Sequence, residues 1–328
     1  MKNIVICSDG TKNEIVDHTN VVKLFRCVED HTPAQVAFYD PGVGTSDWGA
    51  IESATGLGIS GNIMDAYSYL MDFYEDGDRI FLFGFSRGAY TVRSLGGMLG
   101  KCGLLPKGSI NLRELALKIY RARGNKEEAR DFKQHFSRTC HVYFVGVWDT
   151  VGALGFASWP LMNKINPYDT KFHDTTLNAS VPFGYHALAI DDQRKTFHPA
   201  LWSELPKLKG QTIEQVWFAG MHSDVGGGYK EQGLSDVALT WMLNKAVKQG
   251  LRLTGTSFPF INPKITDKPH DSREGWNNLY LKKARELPVG ARIHVSVRDR
   301  MRQADLGYQP SNLPSGAVFV DDAGNVVP

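Results

Sequence analysis

Short apolar runs alternate with longer segments of helical character along most of the chain. The runs predicted to form strands are residues 3–7, 35–39, 79–85, 141–148, 215–219 and 292–297. Most of them are apolar at every position, a pattern typical of parallel strands that are covered by helices on both faces. Strands that alternate with helices predict an α/β fold with a mostly parallel, doubly wound sheet.

The predicted helices lie between these runs. Residues 62–74 place Ile63, Tyr67, Leu70 and Tyr74 on one helical face, and a glycine follows. Residues 110–136 and 235–249 are also helical in character. No linker, composition shift or repeat divides the chain, so we predict a single domain over residues 1–328. Insertions at 105–138 and 152–185 are either a cap over a site or long connections.

Composition and charge exclude several function classes. The net charge is +2 and no long basic run occurs, which argues against nucleic acid as a partner. The N-terminus becomes polar too early for a signal peptide, and no run approaches the ~18 apolar residues of a membrane span. The four cysteines are widely spaced, so we expect reduced thiols and a cytoplasmic chain. They are Cys7, Cys27, Cys102 and Cys140.

Residues 79–90, RIFLFGFSRGAY, contain the first candidate for chemistry. A G-x-S-x-G pattern is weak evidence alone, but here an apolar strand precedes it and an amphipathic helix follows it. This context is typical of a nucleophile elbow, in which a tight strand-to-helix turn exposes a serine hydroxyl and flanking glycines relieve crowding. We therefore predict that Ser86 is a nucleophile.

A serine nucleophile needs a base and an orienting acid. Asp149 directly follows the strand in FVGVWDTVG, and His222 follows the next predicted strand in VWFAGMHSDVGGGY. The order Ser, Asp, His is that of α/β-hydrolases, and the carboxyl ends of parallel strands share one sheet edge. We predict that Ser86, Asp149 and His222 converge there.

Other residues compete for two of these roles. Asp224 is either the acid or a brace for the glycine turn that follows it. His186 and His198 flank no clear strand end, and His294 lies inside a predicted strand, so these histidines are weaker candidates for the base.

The loops around Ser86 supply further candidates. The amide of Arg87 is the expected first oxyanion donor, and Gly10 or Thr11, after the first strand, is the expected second donor. Asp9 either shapes that loop or contributes to substrate binding. Arg93, on the helix after Ser86, either recognises a phosphate group of the substrate or forms a salt bridge.

Two further patterns resemble cofactor or phosphate motifs but lack their context. GLGISG at residues 56–61 matches a dinucleotide fingerprint, yet no strand leads into it, so we predict a loop at the rim of the site. Asp9 in CSDGT suggests an aspartyl-phosphate hydrolase, but the position of the second aspartate is occupied by Cys7. His222 and Asp224 make only a pair of metal-ligand type residues. We expect no cofactor and no metal.

Several segments together resemble a known family. They are CSDGT, HTNVVKLF, YDPGVGT, FLFGFSRGAYTVRSLGGML, FVGVWDTVGALG, YHALAIDDQRKTFHP and VWFAGMHSDVGGGY, in that order. They resemble the α/β-hydrolase domain of bacteria and fungi that includes type VI secretion phospholipase effectors, over about residues 2–300. The resemblance implies an α/β-hydrolase fold and serine esterase or phospholipase activity, and its motifs match at Ser86, Asp149 and His222.

The expected function is hydrolysis of carboxylic esters, with lipid or phospholipid as substrate, through a Ser-His-Asp triad and an acyl-enzyme. The alternatives are a non-catalytic binding module and an amidase or peptidase with the same triad. Partners that the resemblance implies are a phospholipid surface and, for an effector, an immunity or inhibitor protein. The tryptophan-bearing stretch 157–162 is a candidate for membrane contact. Secretion by a signal-less route is the alternative to a cytoplasmic location.

Overall fold

The computed structural model describes residues 1–10, 15–42, 57–122, 124–151, 177–203, 209–273 and 280–328. Eight strands in these ranges form one sheet of order β2-β1-β3-β4-β5-β6-β7-β8, in which every neighbouring pair is parallel. The strands are β1 (Asn3–Ser8), β2 (Gln35–Asp40), β3 (Arg79–Phe85), β4 (Val142–Trp148), β5 (Phe183–Ala189), β6 (Thr212–Phe218), β7 (Arg292–His294) and β8 (Val318–Val320). The predicted α/β class with a parallel sheet is confirmed.

Helices connect these strands and cover both faces of the sheet. The α-helices are α1 (Asn20–Cys27), α2 (Leu57–Phe73), α3 (Ser86–Cys102), α4 (Arg113–Arg121), α5 (Lys126–Phe136), α6 (His222–Gly226), α7 (Gly233–Lys248) and α8 (Val295–Met301). Short 3-10 turns occur at Ile15–Asp17, Ile110–Leu112, Lys195–Phe197 and Ala304–Leu306.

The two faces of the sheet bury separate apolar cores. Along β1, Ile4 and Ile6 pack with α2 and α3, whereas Val5 and Cys7 pack with α1 and α7. This division follows from the strand period of two, and it explains why these strands are apolar at every position. The predicted placement of helices on both faces is confirmed.

Three local predictions were wrong. Strand β5 was not predicted, because glycine and histidine interrupt its apolar run FGYHALA. The strand predicted over 292–297 ends at His294, whose side chain accepts a hydrogen bond from the amide of Ser296 and caps helix α8. The loop predicted at 56–61 is helix α2 from Leu57 onward.

The predicted insertions lie partly within the core. Helices α4 and α5 bury Ala116, Ile119 and Phe132 in the same cluster as α3. Of the second insertion, residues 152–176, which include the tryptophan-bearing stretch, lie outside the described residues, and residues 183–185 belong to β5. The assignment of a single domain and of a cap stays a prediction.

All four cysteines are free thiols buried in the protein, as expected from their spacing. Among the described residues, none of the helices combines the length and apolar character that crossing a bilayer requires.

Candidate active site

The turn from β3 into α3 carries Ser86 in a strained backbone conformation. Its φ angle is +57°, in the left-handed region that non-glycine residues avoid. A Cβ on Gly84 would lie 2.5 Å from the carbonyl oxygen of Gly88, and one on Gly88 would lie 2.1 Å from that of Ser8. Only glycine fits these two positions, so the G-x-S-x-G pattern here reflects close backbone packing around Ser86.

His222 is the first residue of α6, which begins after β6. The amide of the preceding Met221 donates to Asp224 at 3.0 Å, and this bond caps the short helix. The imidazole packs between the rings of Phe85 and Phe197, with centroids 4.6 and 5.2 Å away. Its Nε2 lies 2.8 Å from Ser86 Oγ. The fold therefore brings the histidine into hydrogen-bond contact with the serine.

Asp149 follows β4 and contacts the other side of the imidazole. Its Oδ2 lies 2.5 Å from His222 Nδ1, and its Oδ1 accepts a hydrogen bond from the amide of Ala189 at 3.0 Å. Its φ angle of +38° is a second strained position. Since the carboxylate can only accept, Nδ1 carries the proton and Nε2 is the acceptor for the Ser86 hydroxyl.

All three side chains are removed from solvent, with exposed fractions of 6% for Ser86, 0% for Asp149 and 5% for His222. Burial lowers the pKa of His222, and the hydrogen bond to Asp149 opposes that shift. Burial alone would raise the pKa of Asp149, but the Arg285 guanidinium and His222 hold it well below its usual range. The arrangement is a neutral imidazole between a hydroxyl and an ionised carboxylate.

Arg285 was not predicted as a site residue. Its Nη1 and Nη2 lie 2.5 and 2.7 Å from the two oxygens of Asp149, and the side chain is fully buried. The arginine lies in the charged stretch LKKARELP, where no local pattern distinguishes it from the neighbouring lysines. Asp192 was also missed. Its carboxylate accepts from the amide of His222 at 3.3 Å and pairs with Arg194.

The predicted oxyanion donors differ in their surroundings. Arg87 is buried in the first turn of α3, whose N–H groups point out of the helix N-terminus. The amide of Gly10 donates to the carboxylate of Asp9 at 2.7 Å, so the structure does not support Gly10 as an oxyanion donor. Thr11, the other predicted donor, lies outside the described residues.

The carboxylate of Asp9, in the loop after β1, is hydrogen-bonded to neighbouring parts of the protein. Besides the Gly10 amide, its carboxylate accepts hydrogen bonds from Thr19 Oγ1 at 2.5 Å and Tyr39 Oη at 3.0 Å. It is buried, with 1% of its surface exposed. These contacts are of the kind expected for a residue that shapes the loop, and both roles of Asp9 stay predictions.

Arg93 lies two turns after Ser86 on α3. It donates to the carbonyl oxygen of Ala200 at 2.5 Å and lies over the Trp202 ring at 5.2 Å. Burial lowers the pKa of Arg93 to about 10. It lines a cavity of about 710 Å³ in which no described lining residue is acidic. The other cationic lining residues are Lys101, Arg121, Lys126, Arg130 and Lys133.

Three of the four competing residues, Asp224, His186 and His294, are engaged in other contacts. Asp224 binds His270, with its Oδ1 2.6 Å from Nδ1 of that residue. The Nε2 atom of His186, on β5, accepts from the amide of Thr150 at 3.1 Å, and burial lowers the pKa of His186 to about 3. His198 follows a 3-10 turn and is half-buried. His294 contacts Ser296 through Nδ1 and Asp322 through Nε2. In the described part of the chain, no group of three or more potential metal ligands occurs.

The fold and the site define an α/β protein with a serine, a histidine and an aspartate hydrogen-bonded in a row at the carboxyl edge of a parallel sheet. A family model described as "T6SS, Phospholipase effector Tle1-like, catalytic domain" matches residues 2–245, about three quarters of the chain. The chain therefore belongs to this family of Tle1-like catalytic domains. This confirms the resemblance seen in the sequence motifs.

Individual relatives are more distant. The chain is 30% identical over 236 residues to an uncharacterised protein of Saccharomyces cerevisiae, YEL023C, covering 62% of this chain and 33% of that protein. An uncharacterised protein from Pseudomonas aeruginosa aligns over 81% of this chain and 49% of its own, with 15% identity and a TM-score of 0.45. The Tle1 effector bound to the VgrG spike aligns over 70% and 51%, with 20% identity and a TM-score of 0.41.

Proposed function

We propose that this protein is a serine hydrolase that cleaves carboxylic esters, and that its substrates are lipids or phospholipids. The observation that carries the proposal is the row of hydrogen bonds from Ser86 through His222 to Asp149, with distances of 2.8 and 2.5 Å. This is the geometry in which a histidine activates a serine hydroxyl. The substrate class follows from membership of a family described as phospholipase effectors.

The proposed reaction is acyl transfer through a covalent intermediate. His222 Nε2 accepts the proton of Ser86 as Oγ attacks the ester carbonyl, and Asp149 stabilises the imidazolium that forms. The oxyanion faces the N-terminus of α3, where the amide of Arg87 is the proposed donor. His222 returns the proton to the leaving alcohol. It then deprotonates the water that hydrolyses the acyl-enzyme, which releases the carboxylic acid and restores Ser86.

Arg93 and its cavity support a substrate that bears an anionic group. Arg93 lies seven residues after Ser86, which is about 10 Å along the helix axis. Arg93 lines the cavity together with five other cationic residues and no described acidic residue, whereas Ser86, Asp149 and His222 are not among the described residues that line it. A phosphate ester is the anionic group that phospholipids carry next to their acyl esters, and arginine binds phosphate strongly.

The alternatives predict different results. A non-catalytic binding module would contain the same row of hydrogen bonds without turnover, and an amidase or peptidase would favour amide substrates. Contact with a membrane surface, secretion without a signal peptide and binding of an immunity protein belong to the effector interpretation. Each of these follows from family membership and is part of the proposal.

The experiment measures products formed from three substrates: glycerophospholipid vesicles, a p-nitrophenyl ester and a p-nitroanilide of the same acyl chain. We expect release of fatty acid from the vesicles and nitrophenol from the ester, lost on the order of 10⁶-fold in Ser86→Ala. The matched control is Ser235→Ala, since Ser235 is a buried serine on α7 that donates to the carbonyl oxygen of Gln232. Release of phosphate or of headgroup in place of fatty acid would contradict the proposal. Turnover of the anilide alone would favour the amidase, and folded protein without turnover would favour the binding module.

A further inference from the structure

A buried arginine lies behind the row of site residues, on the side of Asp149 away from Ser86. Arg285 belongs to the segment 280–328, beyond the residues 2–245 that match the family model. Its guanidinium donates to both oxygens of Asp149 and to the carbonyl oxygens of Ala189 and Phe197, each of these two at 2.7 Å. One side chain thus links the segment after β4, strand β5 and the turn after it.

The contacts of Asp149 saturate its carboxylate. Oδ1 accepts from the Ala189 amide and Arg285 Nη1, and Oδ2 accepts from His222 Nδ1 and Arg285 Nη2. A carboxylate offers about four lone-pair sites, so each site has one donor. Bidentate pairing with arginine also fixes the plane of the carboxylate. Asp149 is therefore held in the one orientation that directs Oδ2 at the imidazole.

The charge around His222 is nearly balanced. The charged groups that act on it are Asp149 after β4 and Asp192 and Arg194 after β5. Arg285 from the C-terminal segment is paired with Asp149. From β3 and α3 it meets the Phe85 ring and the Ser86 hydroxyl, and the Phe197 ring packs against it from the turn after β5. Each carboxylate is paired with a guanidinium, so His222 experiences two ion pairs in place of two isolated negative charges.

We propose that Arg285 is a positioning residue of this site, which fixes the orientation of Asp149 and lowers the pH at which His222 becomes a competent base. The proposal rests on the proposed hydrolase function of Ser86, His222 and Asp149. An unpaired aspartate would favour the imidazolium form of His222, and the imidazolium cannot accept the serine proton. Arg285 counters this effect without removing the hydrogen bond that orients the ring.

Loss of the Arg285 charge should raise the pKa of His222. In Arg285→Met the charge of Asp149 is no longer balanced, so the pKa of His222 rises and the base is protonated up to a higher pH. We expect the acid limb of kcat/KM to move upward by about 1 pH unit, the size of a typical effect from a neighbouring charge. Arg285→Lys keeps a positive charge but cannot bind both oxygens, so we expect a smaller shift together with a lower kcat.

The test is a pH profile of ester hydrolysis for wild type, Arg285→Met, Arg285→Lys and the matched control Arg300→Met. Arg300 is a buried arginine of the same C-terminal segment, and its guanidinium donates to the carbonyl oxygens of Ile265 and Asp267. Its removal tests the loss of a buried arginine without any change next to Asp149. We expect the control to lose stability and keep the acid limb of wild type. If Arg285→Met does not fold, the test uses Arg285→Lys.

A second readout separates this proposal from the proposed function. The imidazole of His222 is titrated by NMR in protein labelled at histidine, with His222→Ala used to assign its signal. An upward shift of the His222 titration in the Arg285 variants supports the positioning role even in a protein without turnover, which would refute only the hydrolase. An unchanged titration and acid limb, with activity reduced, would mean that Arg285 acts through stability alone and would overturn the proposal.

Discussion

The two sides of His222 are held by different physical means. On the serine side, the backbone positions the residue. Ser86 has a φ angle of +57°, and two glycines allow main-chain segments to pack at distances that exclude a Cβ. On the aspartate side the backbone of Asp149 is also strained, but its carboxylate is fixed by charge, in a bidentate ion pair with Arg285. Both sides end at one imidazole with hydrogen bonds of 2.8 and 2.5 Å.

This difference determines how each side can be disturbed. The close packing along β3 and α3 is disrupted by added atoms, whereas a buried ion pair is disrupted by the loss of either charge. Burial of an unpaired charge is far more costly than burial of a neutral polar group. Substitutions on the two sides should therefore separate into steric effects and electrostatic effects on the same histidine.

The largest effect expected on the aspartate side is that of Asp149→Asn. The amide cannot stabilise the imidazolium and favours the wrong tautomer, so we expect kcat to fall by about 10⁴-fold. It also removes the ion-pair partner of the buried Arg285, which costs about 3–5 kcal/mol in the free energy of unfolding. Steady-state kinetics and urea unfolding measure the two effects.

The control for Asp149→Asn is Asp236→Asn. Asp236 forms a buried ion pair with Lys23 at 2.5 Å between α7 and α1. Its loss should cost a similar amount of stability and leave kcat within a few-fold of wild type. Equal losses of kcat in the two variants would show that the rate effect of Asp149→Asn comes from instability.

A smaller effect is expected for Gly88→Ala. The new Cβ would lie 2.1 Å from the Ser8 carbonyl oxygen, so β1 or the turn at Ser86 must shift. We expect a loss of about 1–3 kcal/mol in the free energy of unfolding, as for overpacked cores, together with reduced activity. Thermal unfolding and ester hydrolysis provide the measurements.

The matched control is Gly96→Ala on the same helix. There, among the described residues, a Cβ meets only the side chains of Leu82 and Val142, at 3.6 and 3.9 Å, which is ordinary contact. Alanine in a helix interior gains about 0.5–1 kcal/mol over glycine. A Gly88→Ala protein as stable and active as Gly96→Ala would refute the steric account of the serine side.

The smallest expected effect is the decrease of wild-type kcat/KM in acidic solution. Since burial lowers the pKa of His222 below its ordinary value of ~6.5, the base is neutral at pH 7 and becomes protonated only in more acidic solution. We expect kcat/KM to be constant from pH 7 to 8 and to fall as pH decreases below ~6.5. A midpoint above pH 7, in protein shown by circular dichroism to be folded, would be inconsistent with a buried neutral base.

The free energy of unfolding should depend on pH because of the Asp149 carboxylate. The folded-state pKa of Asp149 lies well below its unfolded value, so its contribution is complete above the unfolded pKa of ~3.9 and is lost as pH falls toward the folded value. We expect wild type to lose more stability than Asp149→Asn between pH 5 and 3. Urea unfolding at a series of pH values measures the difference, and parallel losses would contradict the ion-pair account.

The sequence predicted the serine side better than the aspartate side. Ser86 and Asp149 directly follow runs of apolar residues and His222 comes shortly after one, so local patterns and the geometry of a parallel sheet are sufficient to bring them together. Arg285 lies 136 residues from Asp149 in the chain, within a charged stretch that resembles a solvated surface. Its burial depends on packing between distant segments, which no local pattern encodes.

Gly10 illustrates a second limit of sequence analysis. Its position after β1 was correctly predicted to be a loop beside the elbow, and the close approach of Gly88 to Ser8 and Asp9 reflects that neighbourhood. The direction of its amide depends on the side chain of Asp9, which accepts it at 2.7 Å. Hydrogen-bond direction within a loop is set by competing acceptors, and residue order alone does not rank them.

The most direct measurement is labelling with a broadly reactive fluorophosphonate, followed by peptide mapping, on wild type and His222→Ala. A fluorophosphonate reacts with a serine whose proton is removed by a neighbouring base, so we predict a single adduct on Ser86 in wild type. We predict that the adduct is lost in folded His222→Ala and kept in Ser235→Ala. Folded wild-type protein without an adduct, or equal labelling of Ser86 in His222→Ala, would contradict activation of Ser86 by His222.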